Sequence, residues 1–176
     1  MRRVSVAAVL GLVAIVALVT FSSTSANEGT LKLRASLNGF QEVPPKLTDG
    51  TGTFNATING GTLTYTLTYS NLSSPVLQAH LHFGQKAVSG GIFIWLCQTA
   101  TNPSPTSTTP TCPAAGGTVS GTVTATDVQK ISGQTLRGGN FNDAIAIIRS
   151  GEAYANVHTT NFPGGEIRGQ VSVHED

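Results

Sequence analysis

The sequence predicts an all-β fold, an antiparallel Greek-key sandwich or barrel with one short helix. Three observations carry this. Several segments alternate apolar and polar residues with period two, the pattern of a strand with one buried face. Glycine is abundant, at 20 residues, which suits short strands joined by tight turns. Only 11% of residues are charged, and threonine and valine stand where a helical protein would carry Lys and Glu.

Each element follows in order. In TLKLRASL, Leu31, Leu33, Ala35 and Leu37 share one face. In TFNATI the same holds for Phe54, Ala56 and Ile58. Asn59-Gly60-Gly61 is a hairpin-type turn. TLTYTLTY then sets Leu63, Tyr65, Leu67 and Tyr69 inward and its threonines outward, the clearest strand in the chain. VLQAHLHF puts Leu77, Ala79, Leu81 and Phe83 on the core side. GGIFIWLCQ is a continuous apolar run, as in a strand buried on both faces. GTVSGTVTA places Val119 and Val123 together, and EAYANVHTT and EIRGQVSV complete a set of seven to nine strands. NFNDAIAIIRSG breaks the pattern: its apolar spacing and closing Gly151 predict a helix from about Asn142 to Ser150, while its β-branched isoleucines keep a strand open.

Residues 1–26 read as an export signal. MRR supplies positive charge, Val4 to Phe21 is uncharged and mostly apolar, and Thr24 and Ala26 fit the small positions before a cleavage site. The apolar run is near the lower limit for a membrane span, so an uncleaved anchor stays open. The expected location is secreted or extracytoplasmic, at the periplasm or cell surface, with no membrane contact after cleavage. Residues 27–176 make a single domain, long enough for a real core. A net charge of +1, with no basic stripe, excludes nucleic acid as a partner. No nucleophile stands in a catalytic motif, so the chain does not read as an enzyme, and its expected partner, a protein or a small ligand, is not named by the sequence. The sequons at Asn55 and Asn71 matter only in a glycosylating pathway.

The two cysteines, Cys97 and Cys112, flank the Pro/Thr-rich insertion at about 99–113. In an oxidising compartment they pair; free thiols are the alternative. The bridge closes a loop of about 15 residues and would stabilise the fold by roughly 3 kcal/mol.

Period two also locates the candidate site. Opposite the core face of VLQAHLHF stand Gln78, His80 and His82. Residues two apart on a strand lie roughly 6.5–7 Å from each other, so two imidazoles can converge on one ion. The same parity sets Tyr154, Asn156 and His158 outward on EAYANVHTT, and Glu166, Arg168 and Gln170 outward on EIRGQVSV. Elsewhere the outward positions carry mostly Thr, Ser and Asn. Copper or zinc would take a third imidazole or a carboxylate, making His158 and Glu166 the further ligands. A structural reading stands beside this: Glu166 and Arg168 pair with each other or bond the histidines. Glu42, in QEVPP, is either exposed in a turn or bonded to Arg168 or a histidine.

Three motifs bear a resemblance. LNGFQEVPP (Leu37 to Pro45), AHLHFG (Ala79 to Gly84) and GEAYANVHTTNFPGGEIRGQV (Gly151 to Val171) resemble the CHRD domain, the chordin-type module that also stands alone in exported bacterial proteins. The resemblance implies an extracytoplasmic β-sandwich and directs attention to Glu42, His80, His82, His158, Glu166 and Arg168. It does not distinguish a catalytic, metal-binding or structural role. A more distant likeness is to copper–zinc superoxide dismutases, Greek-key barrels with a His-x-His strand at copper, as against an immunoglobulin-like sandwich. Their two-metal pattern needs more histidines than the four here, which leaves a single copper or zinc site. Two readings result: a non-enzymatic binding or structural module, and a mononuclear copper or zinc protein, with copper redox chemistry as its extreme form.

Overall fold

The computed structural model describes Met1 and residues 30–175; the segment 1–26 expected to be an export signal lies outside the described residues apart from Met1. Nine strands form one antiparallel sheet that curls into a nearly closed barrel. They are β1 (Leu31–Asn38), β2 (Thr51–Asn59), β3 (Thr62–Ser70), β4 (Val76–Phe83), β5 (Gly91–Cys97), β6 (Gly117–Val123), β7 (Ala153–Thr159), β8 (Ile167–Gln170) and β9 (Ser172–Glu175). The order is β5-β4-β7-β8-β1-β2-β3-β6, and β9 continues β8 along β1 past an interruption at Val171. Local hairpins give β1-β2-β3 and β4-β5, and longer crossovers place β4, β6 and β7.

The barrel interior is what the alternation predicts. Leu31, Leu33, Leu37, Phe54, Ile58, Leu63, Leu67, Leu81, Val157 and Ile167 are all buried in one core. Two buried tyrosines of β3 place their hydroxyls on backbone carbonyls. The Tyr65 hydroxyl donates to the Leu96 carbonyl of β5, and the Tyr69 hydroxyl donates to the Pro113 carbonyl at 2.9 Å. The Tyr65 bond, with the Gln129 N–H donating to the Phe93 carbonyl at 2.9 Å, ties the two ends of the open sheet together, and the Tyr69 bond anchors the connection between β5 and β6. Between β2 and β3 the turn is Gly60-Gly61, with Gly60 at φ +55°, a left-handed conformation in which glycine carries no steric penalty.

The helix α1 spans Phe141–Arg149, so the strand alternative fails. The Asn140 side chain caps its first turn by accepting from the Asp143 N–H at 3.2 Å, and Gly151 follows its last turn at φ +77°. Arg137 closes the N-terminal end with two 3.0 Å bonds to Asp143. Phe141, Ala144, Ile145, Ile147 and Ile148 turn inward; the tertiary core outweighs the weak helix propensity of isoleucine. Cys97 and Cys112 form a disulfide with a sequence separation of 15, which pins the Pro/Thr-rich insertion to the end of β5. Among the described residues no helix is long and apolar enough to cross a membrane.

Candidate metal centre

The candidate site sits on the outer side of β4, β7 and β8, and that side is not wet. The parity argument puts His80, His82, Tyr154, Asn156, His158, Glu166 and Arg168 together on the non-core face, and exposure to solvent was the natural expectation there. That expectation is corrected: all seven are buried, His80 and Glu166 completely, and every residue of β7 is buried. Three loops fold over this part of the sheet. They are the β1–β2 connection at 39–50, the β4–β5 connection at 84–90 and the β7–β8 connection at 160–166. Period-two patterning reports which side of a strand a residue occupies and nothing about what later covers it.

Neighbouring strands set the geometry. In register, His80 lies opposite Asn156, His82 opposite Tyr154, and Gln78 opposite His158. The three rings therefore meet: centroids are 5.4 Å apart for His80 and His82, 4.9 Å for His80 and His158, and 5.7 Å for His82 and His158. One ring nitrogen from each can be chosen so that all lie within 4.8 Å of one another. Among the described residues this is the one such group of His, Cys, Asp or Glu.

Hydrogen bonds fix the tautomers. The Nδ1 of His158 lies 2.9 Å from the Pro163 carbonyl, and the Nδ1 of His82 lies 3.0 Å from the Gly90 carbonyl. A carbonyl only accepts, so both Nδ1 atoms carry the proton and both Nε2 atoms present a lone pair. His80 Nδ1 lies 3.2 Å from His158 Nε2 and so donates to it. The chain of bonds ends with His80 Nε2 and His82 Nε2 as buried acceptors without a partner. Burial is the largest cause lowering all three imidazole pKa values. His80 is held well below the usual range, with its imidazole neighbours adding to the effect. His82 is pushed down to about 4, and His158 is lowered despite its bond to Pro163. All three rings are neutral at pH 7, the form that binds metal.

Aromatic rings wall the cluster. Trp95 meets His80 edge-on at 4.3 Å between centroids, and Tyr154 stacks on His82 at 4.7 Å with planes 5° apart. Arg168 covers the Tyr154 ring at 3.4 Å and donates through Nη2 to the carbonyls of Gln85 and Val88, both at 2.9 Å. Those bonds tie down the 84–90 loop, whose Gly90 carbonyl orients His82. Gln170 acts on the same loop, donating to the Gly84 and Gly151 carbonyls at 3.0 and 2.8 Å.

The carboxylates behave differently from the sequence expectation. Glu166 does not join the imidazoles as a fourth ligand. Its oxygens accept from Thr48 Oγ1 (2.6 Å), Ser73 N–H (2.8 Å), Ser73 Oγ (2.9 Å) and Thr159 Oγ1 (2.6 Å). Burial alone would raise its pKa; these bonds outweigh burial and hold the carboxyl below the usual range. Glu42 is bonded neither to Arg168 nor to a histidine: its Oε1 accepts from the Asn156 amide, which also donates to the Ile167 carbonyl at 2.8 Å. Burial raises the Glu42 pKa against that bond and nearby Arg168. Among the described residues Arg168 forms no ion pair with Glu42 or Glu166; their packing against loop groups replaces it. Gly165 makes the close approach feasible: at φ +125°, a Cβ there would lie 2.7 Å from Glu42 Oε1 and 2.8 Å from the Asn156 side-chain amide atoms.

A family model describing the CHRD domain matches residues 33–171. The chain belongs to the CHRD domain family. No curated protein and no solved structure matches it. Within this CHRD domain the three motifs of the sequence are three walls of one site: Glu42 comes from LNGFQEVPP, His80 and His82 from AHLHFG, and Tyr154, Asn156, His158, Glu166 and Arg168 from the long C-terminal motif. Sequence reasoning missed Trp95, Thr48, Ser73 and Thr159. The threonines and serine carried no signal, being indistinguishable from the outward Thr and Ser of any strand or turn. Trp95 is the single tryptophan of the chain and stands in the run read as buried on both faces, which was a usable clue.

Proposed function

We propose that this CHRD domain is a non-enzymatic, exported metal-binding module that holds one copper or zinc ion with His80, His82 and His158, the ion taking the place at His158 Nε2 of the His80 Nδ1–H that bonds it in the metal-free cluster. One observation carries the reading: two buried imidazole acceptors, His80 Nε2 and His82 Nε2, have no hydrogen-bond partner in a cluster where a third imidazole also converges. An unsatisfied buried acceptor costs about 1–3 kcal/mol, and a cation supplies what each lacks. The donor set is all imidazole, which suits copper and zinc and not calcium or magnesium. Carbonyls holding Nδ1–H of His82 and His158 are the usual outer-shell arrangement for a metal-ligating histidine. Export rests on the pattern of residues 1–26, and the disulfide is compatible with an oxidising compartment.

The purely structural reading draws on the Glu42–Asn156 and Glu166 clasps, which fasten loops whether or not an ion is present. Titration separates the two. After dialysis of the purified protein against a chelator, Cu²⁺ and Zn²⁺ are added and followed by calorimetry. Binding at 1:1 with a dissociation constant of about 1 μM or tighter supports the metal site. His82→Phe is the decisive variant. It keeps a ring against Tyr154, and the orphaned Nε2 that it removes offsets the Nδ1–H donor that the Gly90 carbonyl loses, so the metal-free variant unfolds within about 1 kcal/mol of the parent while its metal affinity falls at least tenfold. Absence of binding in the parent, together with a destabilised His82→Phe, would leave the structural reading alone.

A further inference from the structure

The histidine cluster offers an ion three neutral donors and no compensating charge. Among the described residues no cysteine or carboxylate joins His80, His82 and His158 in the group whose ligand atoms lie within 4.8 Å of one another. The two glutamates of the covered face are engaged elsewhere, Glu166 by Thr48, Ser73 and Thr159 and Glu42 by Asn156. A cation already stands beside the rings. The Arg168 guanidinium lies 3.4 Å over the Tyr154 ring, and the same ring stacks on His82 at 4.7 Å. The cluster is also closed. His80 is completely buried, His82 is 7% exposed, and Trp95 and Tyr154 wall their rings.

These features weigh on the charge and the coordination number of the ion. Stripping water from an ion costs in proportion to the square of its charge, so a monovalent cation enters at about a quarter of the cost of a divalent one. Repulsion from Arg168 is twice as large for a divalent ion, and no carboxylate in the cluster offsets it. Zn²⁺ takes four ligands in a tetrahedron and Cu²⁺ four in a square-planar or tetragonal set, whereas the cluster supplies three. Cu⁺ has a filled d shell and is satisfied by two or three nitrogen donors. On the metal reading proposed above, we infer that the cluster selects Cu⁺ over Cu²⁺ and Zn²⁺. Three neutral imidazoles, a buried setting and the neighbouring Arg168 together set that preference.

The probes are Cu⁺, added without oxygen as its acetonitrile complex, Cu²⁺ and Zn²⁺. Each is titrated into chelator-dialysed protein in competition with a chromogenic chelator suited to that ion. Cu⁺ is expected to bind 1:1 at about 0.1 μM or tighter, and at least tenfold more tightly than either divalent ion. His82→Phe weakens Cu⁺ binding at least tenfold, which places the ion at the cluster; unchanged affinity in that variant overturns the inference. Gln78→Glu tests the role of charge. Gln78 is half-buried on the histidine face of β4, opposite His158 in register, and the substitution keeps its shape. The added negative charge favours the divalent ion and narrows the preference for Cu⁺ over Zn²⁺ at least threefold. An unchanged preference overturns charge as its cause. A divalent ion that binds the parent protein within tenfold of Cu⁺ overturns the selectivity and leaves the metal reading standing. Binding of none of the three ions at about 10 μM removes both.

Discussion

Strands β3 and β7 are built on the same alternation and come to opposite ends. On β3 the inward residues are buried and Thr64 and Thr68 face solvent, with β2 and β6 continuing the same surface through Thr57, Thr53, Thr118 and Thr122. On β7 the inward Ala153, Ala155 and Val157 are buried, and so are the outward Tyr154, Asn156 and His158. The open half of the barrel satisfies its hydroxyls with water and with one another, as in the 3.0 Å contacts of Thr66 with Ser120 and Thr68 with Thr118. The covered half must satisfy imidazole, amide, guanidinium and carboxylate from protein groups alone. It does so for nearly all of them, and the exceptions are therefore informative. An outward strand position is a functional signal when its residue type is too costly for a bare surface to explain and too polar for a core.

The largest expected contrast between the halves is at Glu166. Its carboxylate accepts from three loops or strand ends at once. Glu166→Ala strands four buried or half-buried donors and releases the 39–50 and 160–166 loops from each other, at a cost of about 4 kcal/mol. Chemical denaturation of parent and variant measures it. A loss below about 1 kcal/mol would mean that the cover over the histidines is held by something other than this clasp.

Much of this was legible from residues and much was not, for a physical reason. Periodicity is a local property, and it located the core of β1, β2, β3, β6 and β7 and the side on which His80, His82 and His158 meet. Helix α1 announced itself through spacing and Gly151, to within one residue. What remained hidden depends on contacts between distant segments: Glu166 with Ser73, 93 residues away, and with Thr48, 118 away. Thr48 and Ser73 look like ordinary turn residues because a hydroxyl has the same local preferences whether water or a buried carboxylate is its partner. For the same reason Glu42, Glu166 and Arg168 suggest charge pairing on paper, whereas the fold gives the carboxylates neutral donors and the guanidinium carbonyl acceptors.

The next contrast is in pH. Threonine, serine and asparagine do not titrate, so the outward rows of β2, β3 and β6 contribute no pH dependence near neutrality. In the covered half the folded imidazoles have pKa values below the unfolded 6.5, His82 at about 4. As pH falls from 6.5 toward 4, the unfolded chain gains protons that the folded one refuses. The imidazole contribution to the stability of the metal-free protein is therefore full above pH 6.5 and declines through that window, by roughly 3 kcal/mol from His82 alone, against a smaller gain from Glu42, whose folded pKa is raised by burial. Glu166, whose folded pKa is depressed, adds a loss only at lower pH, as its own carboxylate protonates. Urea midpoints at pH 7.5 and 5 after chelator dialysis test this; equal midpoints would show that the rings are hydrated and accept protons in the native state.

The smallest effect comes from one substitution made twice. Thr64→Val and Thr159→Val delete the same hydroxyl and keep the β-branched shape that strands favour. Thr64 faces solvent, its hydroxyl loses only water, and the change lies within about 0.5 kcal/mol of zero. Thr159 is fully buried and its Oγ1 donates to Glu166 Oε2 at 2.6 Å; the variant leaves a charged acceptor short of one donor, at about 1–3 kcal/mol. Because side-chain size is nearly constant, the difference between the two variants isolates cover from packing. Equal values for both would mean that water reaches the Glu166 clasp, and that the two halves of the barrel differ in composition but not in environment.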